Sequence, residues 1–126
     1  MPNTPVLYNH TRVRCKVSSQ KERADMDSEK QVEQYLCKCV RGIGGKAYKW
    51  VSPGCCGVPD RIVFFPKGVI IPVELKAPGR EKNLSKAQKL EISHIAGMGG
   101  RVYVLSTKEE VDRFMQKITI KYGLIE

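Results

Sequence analysis

Two short apolar segments joined by turn residues are the sequence feature that most constrains the fold of this chain. Residues 61–65 (RIVFF) and 69–73 (VIIPV) are rich in β-branched and aromatic side chains, and a Pro-Lys-Gly sequence joins them. This pattern predicts a β-hairpin. The three joining residues fit a type I turn in which Gly68 takes the left-handed conformation, and Phe65 then faces Val69 across the two strands.

The predicted register of this hairpin brings two acidic residues together. Counting back from the turn places Asp60 opposite Glu74, with Cβ atoms about 4.5–5.5 Å apart, and Lys76 on the same face of the sheet. Two carboxylates at this distance repel each other unless a cation lies between them, and Mg²⁺ prefers such oxygen ligands. The register therefore predicts a magnesium site. The alternative is that Asp60 only begins a strand and that Glu74 and Lys76 form a surface ion pair.

An amphipathic helix precedes the hairpin and is predicted to direct an acidic residue toward it. Ser28 and Gln31 fit a capping box at its start, and apolar residues then recur at helical spacing, namely Val32, Leu36, Cys39, Val40 and Ile43. At about 100° per residue, Glu29 falls near the centre of this apolar stripe and Glu33 at its edge. We predict that Glu29 approaches the two hairpin acids, with Glu33 as the second candidate. A favourable interaction with the helix dipole is the alternative role for Glu29.

A second capped helix begins after the hairpin at Ser85, and its third residue, Gln88, has two candidate roles. Gln88 completes a capping box with Ser85, or its amide points toward the acids and orients the attacking water or a phosphate oxygen. Basic residues surround this turn and one lies on the first strand: Arg80, Lys82, Lys86, Lys89 and Lys49. We predict that they contact the phosphates of a nucleic acid. A charged, solvated loop is the alternative.

The order of these residues carries a family resemblance. Glu29, the Gly-Val-Pro-Asp sequence ending at Asp60, the Glu-Leu-Lys sequence ending at Lys76, and Ser85-x-x-Gln88 resemble the PD-(D/E)xK nuclease superfamily and, within it, the virus-type replication-repair nuclease (VRR-NUC) family. The resemblance covers roughly residues 28–115. One departure lies on the first helix, where Cys37-Lys38-Cys39 stands in place of the Val-Arg-Arg often found in the family. Any role of those arginines does not carry over to this chain.

The resemblance implies a restriction-endonuclease-like α/β fold, with a mixed sheet flanked by helices in the order αβββαβα. It also implies a metal-dependent phosphodiesterase acting on DNA, and stand-alone phage-type members are associated with branched DNA such as four-way junctions. We expect the metal ligands to be Asp60, Glu74 and the carbonyl of Leu75, holding Mg²⁺ or Mn²⁺, with Glu29 contributing directly or through water. Lys76 is expected to orient the nucleophile and offset charge in the transition state.

Cutting a four-way junction requires two symmetric incisions, whereas a chain of 126 residues has room for one active site. A two-fold homodimer places identical sites on opposing strands, so we predict a homodimer. Two other functions stay open. One is a non-catalytic nucleic-acid-binding module on a nuclease fold. The other is a nuclease acting on RNA or single strands, because specificity lies in loops.

Charge and cysteine content narrow the class of protein. Lys and Arg number 22 against 13 Asp and Glu, and the net charge of +9 favours a polyanionic partner. No apolar segment approaches the roughly 18–20 residues that span a bilayer, and the N-terminus lacks the apolar core of a secretory signal. We therefore expect an intracellular, cytoplasmic protein of a bacterial or phage-infected cell. Five cysteines, an odd number at unsuitable spacing, argue against a disulfide scaffold and against a zinc site.

The remaining sequence predicts one compact domain, residues 27–126, after a basic N-terminal arm, residues 1–26. The arm is expected either to contact phosphates or to be a solvated tail. Residues 46–51 and 101–105 fit further strands, and Thr107 begins a last helix whose buried stripe is Val111, Phe114, Met115 and Ile118. Because the hairpin strands are apolar on both faces, we expect helices to cover the sheet.

Overall fold

The computed structural model describes residues 28–80 and 83–124, so the predicted basic arm lies outside the described residues. In chain order the elements are α1 (Glu29–Gly42), β1 (Lys46–Lys49), β2 (Arg61–Phe64), a 3₁₀ turn (Pro66–Gly68), β3 (Ile70–Leu75), α2 (Lys86–Gly97), β4 (Tyr103–Leu105) and α3 (Lys108–Lys121). The predicted order of helix, three strands, helix, strand and helix is confirmed. Two strands are shorter than predicted, because β1 ends at Lys49 and β4 begins at Tyr103.

The three helices begin at the predicted capping residues. Ser28, Ser85 and Thr107 each accept a hydrogen bond from the backbone N–H three residues later. Ser28 and Ser85 form complete capping boxes, whereas Glu110 reaches one residue further back and accepts from the backbone N–H of Ser106 at 2.7 Å. These side chains bind backbone donors that a helix start cannot satisfy by itself. The caps therefore fix where α1 and α2 begin relative to the sheet.

The sheet is mixed and its strands lie in the order β1-β2-β3-β4. The first three strands are antiparallel, and β4 pairs with β3 in parallel. In the hairpin, Arg61 pairs with Val73 and Phe64 with Ile70. Extending this register by one residue places Asp60 opposite Glu74, so the register predicted from the sequence is confirmed.

The turn of the hairpin differs from the prediction. Gly68 does take a positive φ of 77°, but Lys67 also lies in the left-handed region, at φ 68° and ψ 19°. The predicted type I turn with a single left-handed residue is therefore wrong. A left-handed conformation costs a residue with a side chain about 1 kcal/mol or more. The Lys67 Nζ donates a hydrogen bond to the Gly123 carbonyl at 2.7 Å, which stabilises the turn from the C-terminal end of the chain.

One face of the sheet packs on α1 and α3 and forms the hydrophobic core. The sheet contributes alternate residues such as Val63 and Val73, both fully buried. The predicted stripes of both helices are buried, which confirms them: Val32, Leu36, Cys39, Val40 and Ile43 of α1, and Val111, Phe114, Met115 and Ile118 of α3. None of the described helices is long and apolar enough to cross a membrane.

The opposite face of the sheet is only partly covered, so the prediction of helices over both faces holds at one end alone. Tyr48 is 46% exposed, Phe64 42% and Ile70 49%, and the first two rings pack edge to face with centroids 5.6 Å apart. The described residues of α2 include none that are buried. This helix contacts the sheet near Glu74, through Gln88. Apolar side chains on both faces of a strand therefore did not indicate full coverage by helices.

Candidate active site

Asp60 is fixed at the open end of the hairpin. It directly precedes β2, and its Oδ2 accepts a hydrogen bond from the backbone N–H of Leu75 at 2.9 Å. Its own carbonyl accepts from the Trp50 N–H at 3.0 Å, which extends the pairing of β1 and β2 beyond the strand ends. The Asp60 carboxylate is therefore bound across the hairpin, beside the residue that follows Glu74.

Glu74 is a buried acid beside a second acid. Its exposed fraction is 2%, although it lies near the end of β3. Burial, and then the charge of Asp60, raise the pKa of the Glu74 carboxyl to about 7, against the opposing effect of Lys76. The Lys76 Nζ lies 3.8 Å from the Glu74 Oε2 and partly offsets the negative charge. An additional cation between the two acids would favour the ionised form of Glu74.

Gln88 combines the two roles that the sequence left open. Its Oε1 accepts from the Ser85 backbone N–H at 2.8 Å, which closes the capping box of α2. The same oxygen accepts from the Lys76 Nζ at 3.1 Å, and the Nε2 donates to the Glu74 Oε2 at 2.7 Å. The capping box orients the amide, and the amide contacts both the acid and the lysine of the Glu-Leu-Lys sequence.

The loop before Asp60 packs closely on the start of α2. Gly57 has a φ of 90°, and a Cβ added there would lie 2.4 Å from the Ala87 carbonyl oxygen and 2.8 Å from the Gln88 nitrogen. A side chain at this position is therefore excluded by both backbone conformation and space. The Gly-Val-Pro-Asp sequence thus holds the first acid and the first turn of α2 in one contact, which the sequence alone did not reveal.

The two acids of α1 have different surroundings. Glu29 is exposed, yet partial burial and the charge of Asp60 raise its pKa, while Lys76 lowers it, so its carboxyl is electrostatically coupled to the site. Glu33 instead accepts from the Arg61 Nε at 2.6 Å and lies 3.6 Å from the Lys49 Nζ. Arg61 and Lys49 thus bind Glu33 and not Glu29, so Glu29 is the better candidate for the site. Arg61 was not among the predicted site residues, although its place beside Asp60 was a usable signal.

The basic residues predicted to contact phosphates lie mostly on the surface. Arg80, Lys86 and Lys89 are exposed around the start of α2, and the Lys49 side chain is 62% exposed. Lys82 lies outside the described residues. These side chains are accessible to a polyanion that approaches the acids.

The donor atoms of the site suit a hard divalent cation. The Asp60 and Glu74 carboxylates and the neighbouring main-chain carbonyls supply oxygen, which Mg²⁺ and Mn²⁺ prefer. Within residues 28–80 and 83–124, no three or more His, Cys, Asp and Glu side chains form a ready metal-binding group. Two close protein carboxylates, completed by water and substrate oxygens, are nevertheless a common arrangement for Mg²⁺.

Known proteins resemble this chain in both sequence and structure. No protein-family model matches it. "Putative nuclease p44" of Acyrthosiphon pisum secondary endosymbiont phage 1 is 46% identical over 81 residues, which are 64% of this chain and 85% of that protein. A solved structure described as a VRR_NUC domain superposes with a TM-score of 0.64 at 28% identity, covering 70% of this chain and 94% of the other. The chain belongs to the VRR-NUC family.

Membership in the VRR-NUC family confirms the predicted fold class, a restriction-endonuclease-like α/β fold with a mixed sheet and flanking helices. The Cys-Lys-Cys sequence of α1, in which this VRR-NUC chain departs from the family pattern, lies across two sides of the helix. Cys39 is buried in the core and Lys38 is exposed. Cys37 is only partly buried, at the edge of the core. The Cys-Lys-Cys sequence therefore crosses from the packed side of the helix to its solvent side.

Proposed function

We propose that this VRR-NUC protein is a metal-dependent DNA endonuclease of phage-type replication, repair or recombination. The observation that carries the proposal is the hydrogen-bonded group of Asp60, Glu74, Lys76 and Gln88, in which Gln88 contacts both Glu74 and Lys76. A buried acid beside a second acid and a lysine is an arrangement suited to binding a cation and stabilising charge during phosphodiester hydrolysis. The similarity to a phage protein named as a nuclease supports the same activity.

Each residue of the group has a distinct proposed role. Asp60, Glu74 and the Leu75 carbonyl hold Mg²⁺ or Mn²⁺, and Glu29 contributes directly or through water. When bound, the cation supplies Lewis acidity that lowers the pKa of water and offsets charge on the phosphate. Lys76 orients the attacking water and stabilises negative charge that develops on the phosphate oxygens. Gln88 holds the Glu74 carboxylate and the Lys76 ammonium in place through its two amide ends.

Single-turnover cleavage assays test this proposal. Four-way junction, flap, linear duplex and single-stranded DNA are each incubated with Mg²⁺, Mn²⁺ or EDTA, with an RNA duplex as the competing substrate class. The expected result is cleavage of DNA that requires the metal and is abolished by EDTA. Cleavage that persists in EDTA, or cleavage of RNA alone, would contradict the proposal. Binding of every substrate without cleavage would instead favour the non-catalytic module.

We further propose that the substrate is branched DNA and that the protein acts as a homodimer. Two symmetric incisions in a junction require two sites, and a two-fold dimer supplies them. The exposed Tyr48, Phe64 and Ile70 support this proposal, because exposed apolar groups on a sheet face are typical of surfaces that another protein covers. Light scattering at micromolar concentration gives the oligomeric state, and paired nick mapping on a junction gives the symmetry of cleavage. A monomer that nicks linear duplex as readily as junctions would contradict both.

A further inference from the structure

A groove of about 400 Å³ lies between the solvent side of α1 and the end of β1, apart from the four residues of the hydrogen-bonded site. Seven described residues line it: Lys30, Glu33, Gln34, Cys37, Arg41, Lys49 and Arg61. Four of these are Lys or Arg, and of the seven only Glu33 is acidic. The groove is therefore strongly basic, and its lining is polar apart from one cysteine.

Two cations of the groove, Lys30 and Arg41, mark its length along α1. Lys30 directly follows Glu29, whose carboxyl is coupled to Asp60. Arg41 lies eleven residues further along α1, on the same side of the helix because eleven residues make about three turns. At about 1.5 Å per residue, this part of α1 is roughly 16 Å long. One strand of B-DNA presents a phosphate about every 3.4 Å along its axis, so this length corresponds to about five phosphate steps.

Arg61 is held in a fixed position in the wall of the groove. Its Nε donates to the Glu33 Oε2 at 2.6 Å and its Nη1 donates to the Ala47 carbonyl at 3.0 Å, while its side chain is 20% exposed. The Lys49 side chain beside it is 62% exposed and shares Glu33 as a partner. An arginine held in this way loses little conformational freedom when its other donors bind an anion. The edge of the groove nearest Asp60 is thus preorganised.

We propose that this groove binds the sugar-phosphate backbone of DNA on one side of the cleaved bond, with Lys30, Lys49 and Arg41 contacting phosphates of one strand and Arg61 marking the end nearest the acids. The proposal rests on the proposed nuclease function and specifies the path of the substrate. Cations spread over roughly 16 Å fit an extended phosphate backbone better than a compact anion. The alternative is a solvated basic face whose charges are balanced by salt ions and by Glu33.

The salt dependence of DNA binding tests the proposal without requiring cleavage. The Lys30→Gln/Arg41→Gln double variant is compared with an Arg113→Gln/Lys117→Gln variant, which removes the same two charges from exposed positions on α3. Both carry Asp60→Asn so that no substrate is cut. For a 20-base-pair duplex, the slope of log K against log salt is expected to be shallower by about 0.9 for each phosphate that the variant no longer binds. The groove variant should show this change and the α3 variant should not.

Equal slopes for the two variants, with equal melting temperatures, would overturn the groove proposal. Neutral methylphosphonate linkages then locate the phosphates bound by the groove on a substrate that the wild type cleaves. Neutral linkages on one side of the cut should weaken binding by the Asp60→Asn protein and leave binding by the groove variant in the same background unchanged. The two proposals fail separately, because absence of metal-dependent cleavage refutes the nuclease function while the salt slopes report the groove alone.

Discussion

Two buried acids of this protein have the same exposure and different surroundings. Glu74 and Asp112 are each 2% exposed. Asp112 lies between α1 and α3, where its Oδ1 accepts a hydrogen bond from the Tyr35 hydroxyl at 2.6 Å. Glu74 lies beside Asp60, a second acid, and its partners are an amide and a lysine. The two carboxylates are equally buried, but Asp112 faces a neutral hydroxyl, whereas Glu74 faces a second carboxylate.

The groups next to Asp112 and those next to Glu74 also differ in their ionisation. Burial, and then the charge of Asp112, raise the pKa of the Cys39 thiol to about 12, and burial with the hydrogen bond to Asp112 raises the pKa of Tyr35. Both groups therefore stay protonated as donors near Asp112. Beside Glu74 the strongest neighbouring charge is another carboxylate. A buried acid among protonated donors stabilises a fold, whereas a buried acid facing a second acid favours the binding of a cation.

The largest expected effect is on catalysis. Asp60→Asn and Glu74→Gln should each reduce metal-dependent cleavage by about 10³-fold, because a bound cation contributes several kcal/mol to charge stabilisation. DNA binding should stay largely intact, since most affinity comes from Lys and Arg contacts with phosphates. Single-turnover cleavage and filter binding measure the two quantities. Near wild-type turnover in either variant would mean that the active site lies elsewhere.

A smaller effect, on stability alone, is expected at the other acid. Asp112→Ala should lower the free energy of unfolding by about 1–3 kcal/mol, because it removes the acceptor of the buried Tyr35 hydroxyl. Urea denaturation gives this value, and the Tyr35→Phe/Asp112→Ala double variant should recover part of the loss. Cleavage by the folded Asp112→Ala protein should match the wild type. A loss of turnover comparable to that of Asp60→Asn would erase the distinction between the two acids.

Glu74→Gln should stabilise the metal-free protein at high pH, which sharpens the contrast. Since the folded pKa of Glu74 is raised from 4.5 to about 7, wild-type stability falls as pH rises between these values. The neutral glutamine avoids this loss, so the variant should gain about 1–2 kcal/mol over the wild type at pH 8 in EDTA. The gain should vanish near pH 4. Adding Mn²⁺ should raise the wild-type melting temperature and leave the variant unchanged.

The smallest expected effect concerns the cap that orients Gln88. Ser85→Ala removes the acceptor of the Gln88 backbone N–H and should cost about 1 kcal/mol of stability. It should also slow cleavage by about fivefold, because the first turn of α2 that carries Gln88 is held less firmly. Thr107→Ala is a matched control, since it removes the equivalent side-chain cap from α3, a helix that does not carry Gln88. That control should lose similar stability and keep full turnover. Equal cleavage rates in the two variants would show that the cap of α2 has no part in positioning Gln88.

Local patterns in the sequence predicted most of the fold. The capping residues, the buried stripes of α1 and α3, and the register of the hairpin follow from side-chain spacing of 3.6 and 2 residues, and the structure confirms all of them. The predictions of the turn type at Lys67 and of helices over both sheet faces were wrong for a common reason. Both depend on contacts with segments distant in the chain: the Gly123 carbonyl for Lys67, and the position of α2 for the open face.

The candidate site was predictable in composition and less so in arrangement. Strand alternation placed Asp60, Glu74 and Lys76 together, whereas a helical wheel ranked Glu29 ahead of Glu33 without separating them by their partners. That separation arises from Arg61, which binds Glu33 across 28 residues of sequence. The packing of Gly57 against α2 was also beyond sequence patterns, because it depends on the distance between two backbones. The roles proposed for these residues stay predictions until the variants are measured.

The hairpin turn has a consequence for how this nuclease can vary in evolution. Residues on a strand alternate between its faces, so deleting or inserting one residue within Pro66–Gly68 would shift the pairing and move Glu74 to the opposite face. Its carboxylate would then enter the hydrophobic core, although no residue of the acid pair had been replaced. Lineages that keep the activity should therefore vary in residue identity at this turn more readily than in its length. During sequence divergence, the length of this turn is therefore under a tighter constraint than the identity of its residues.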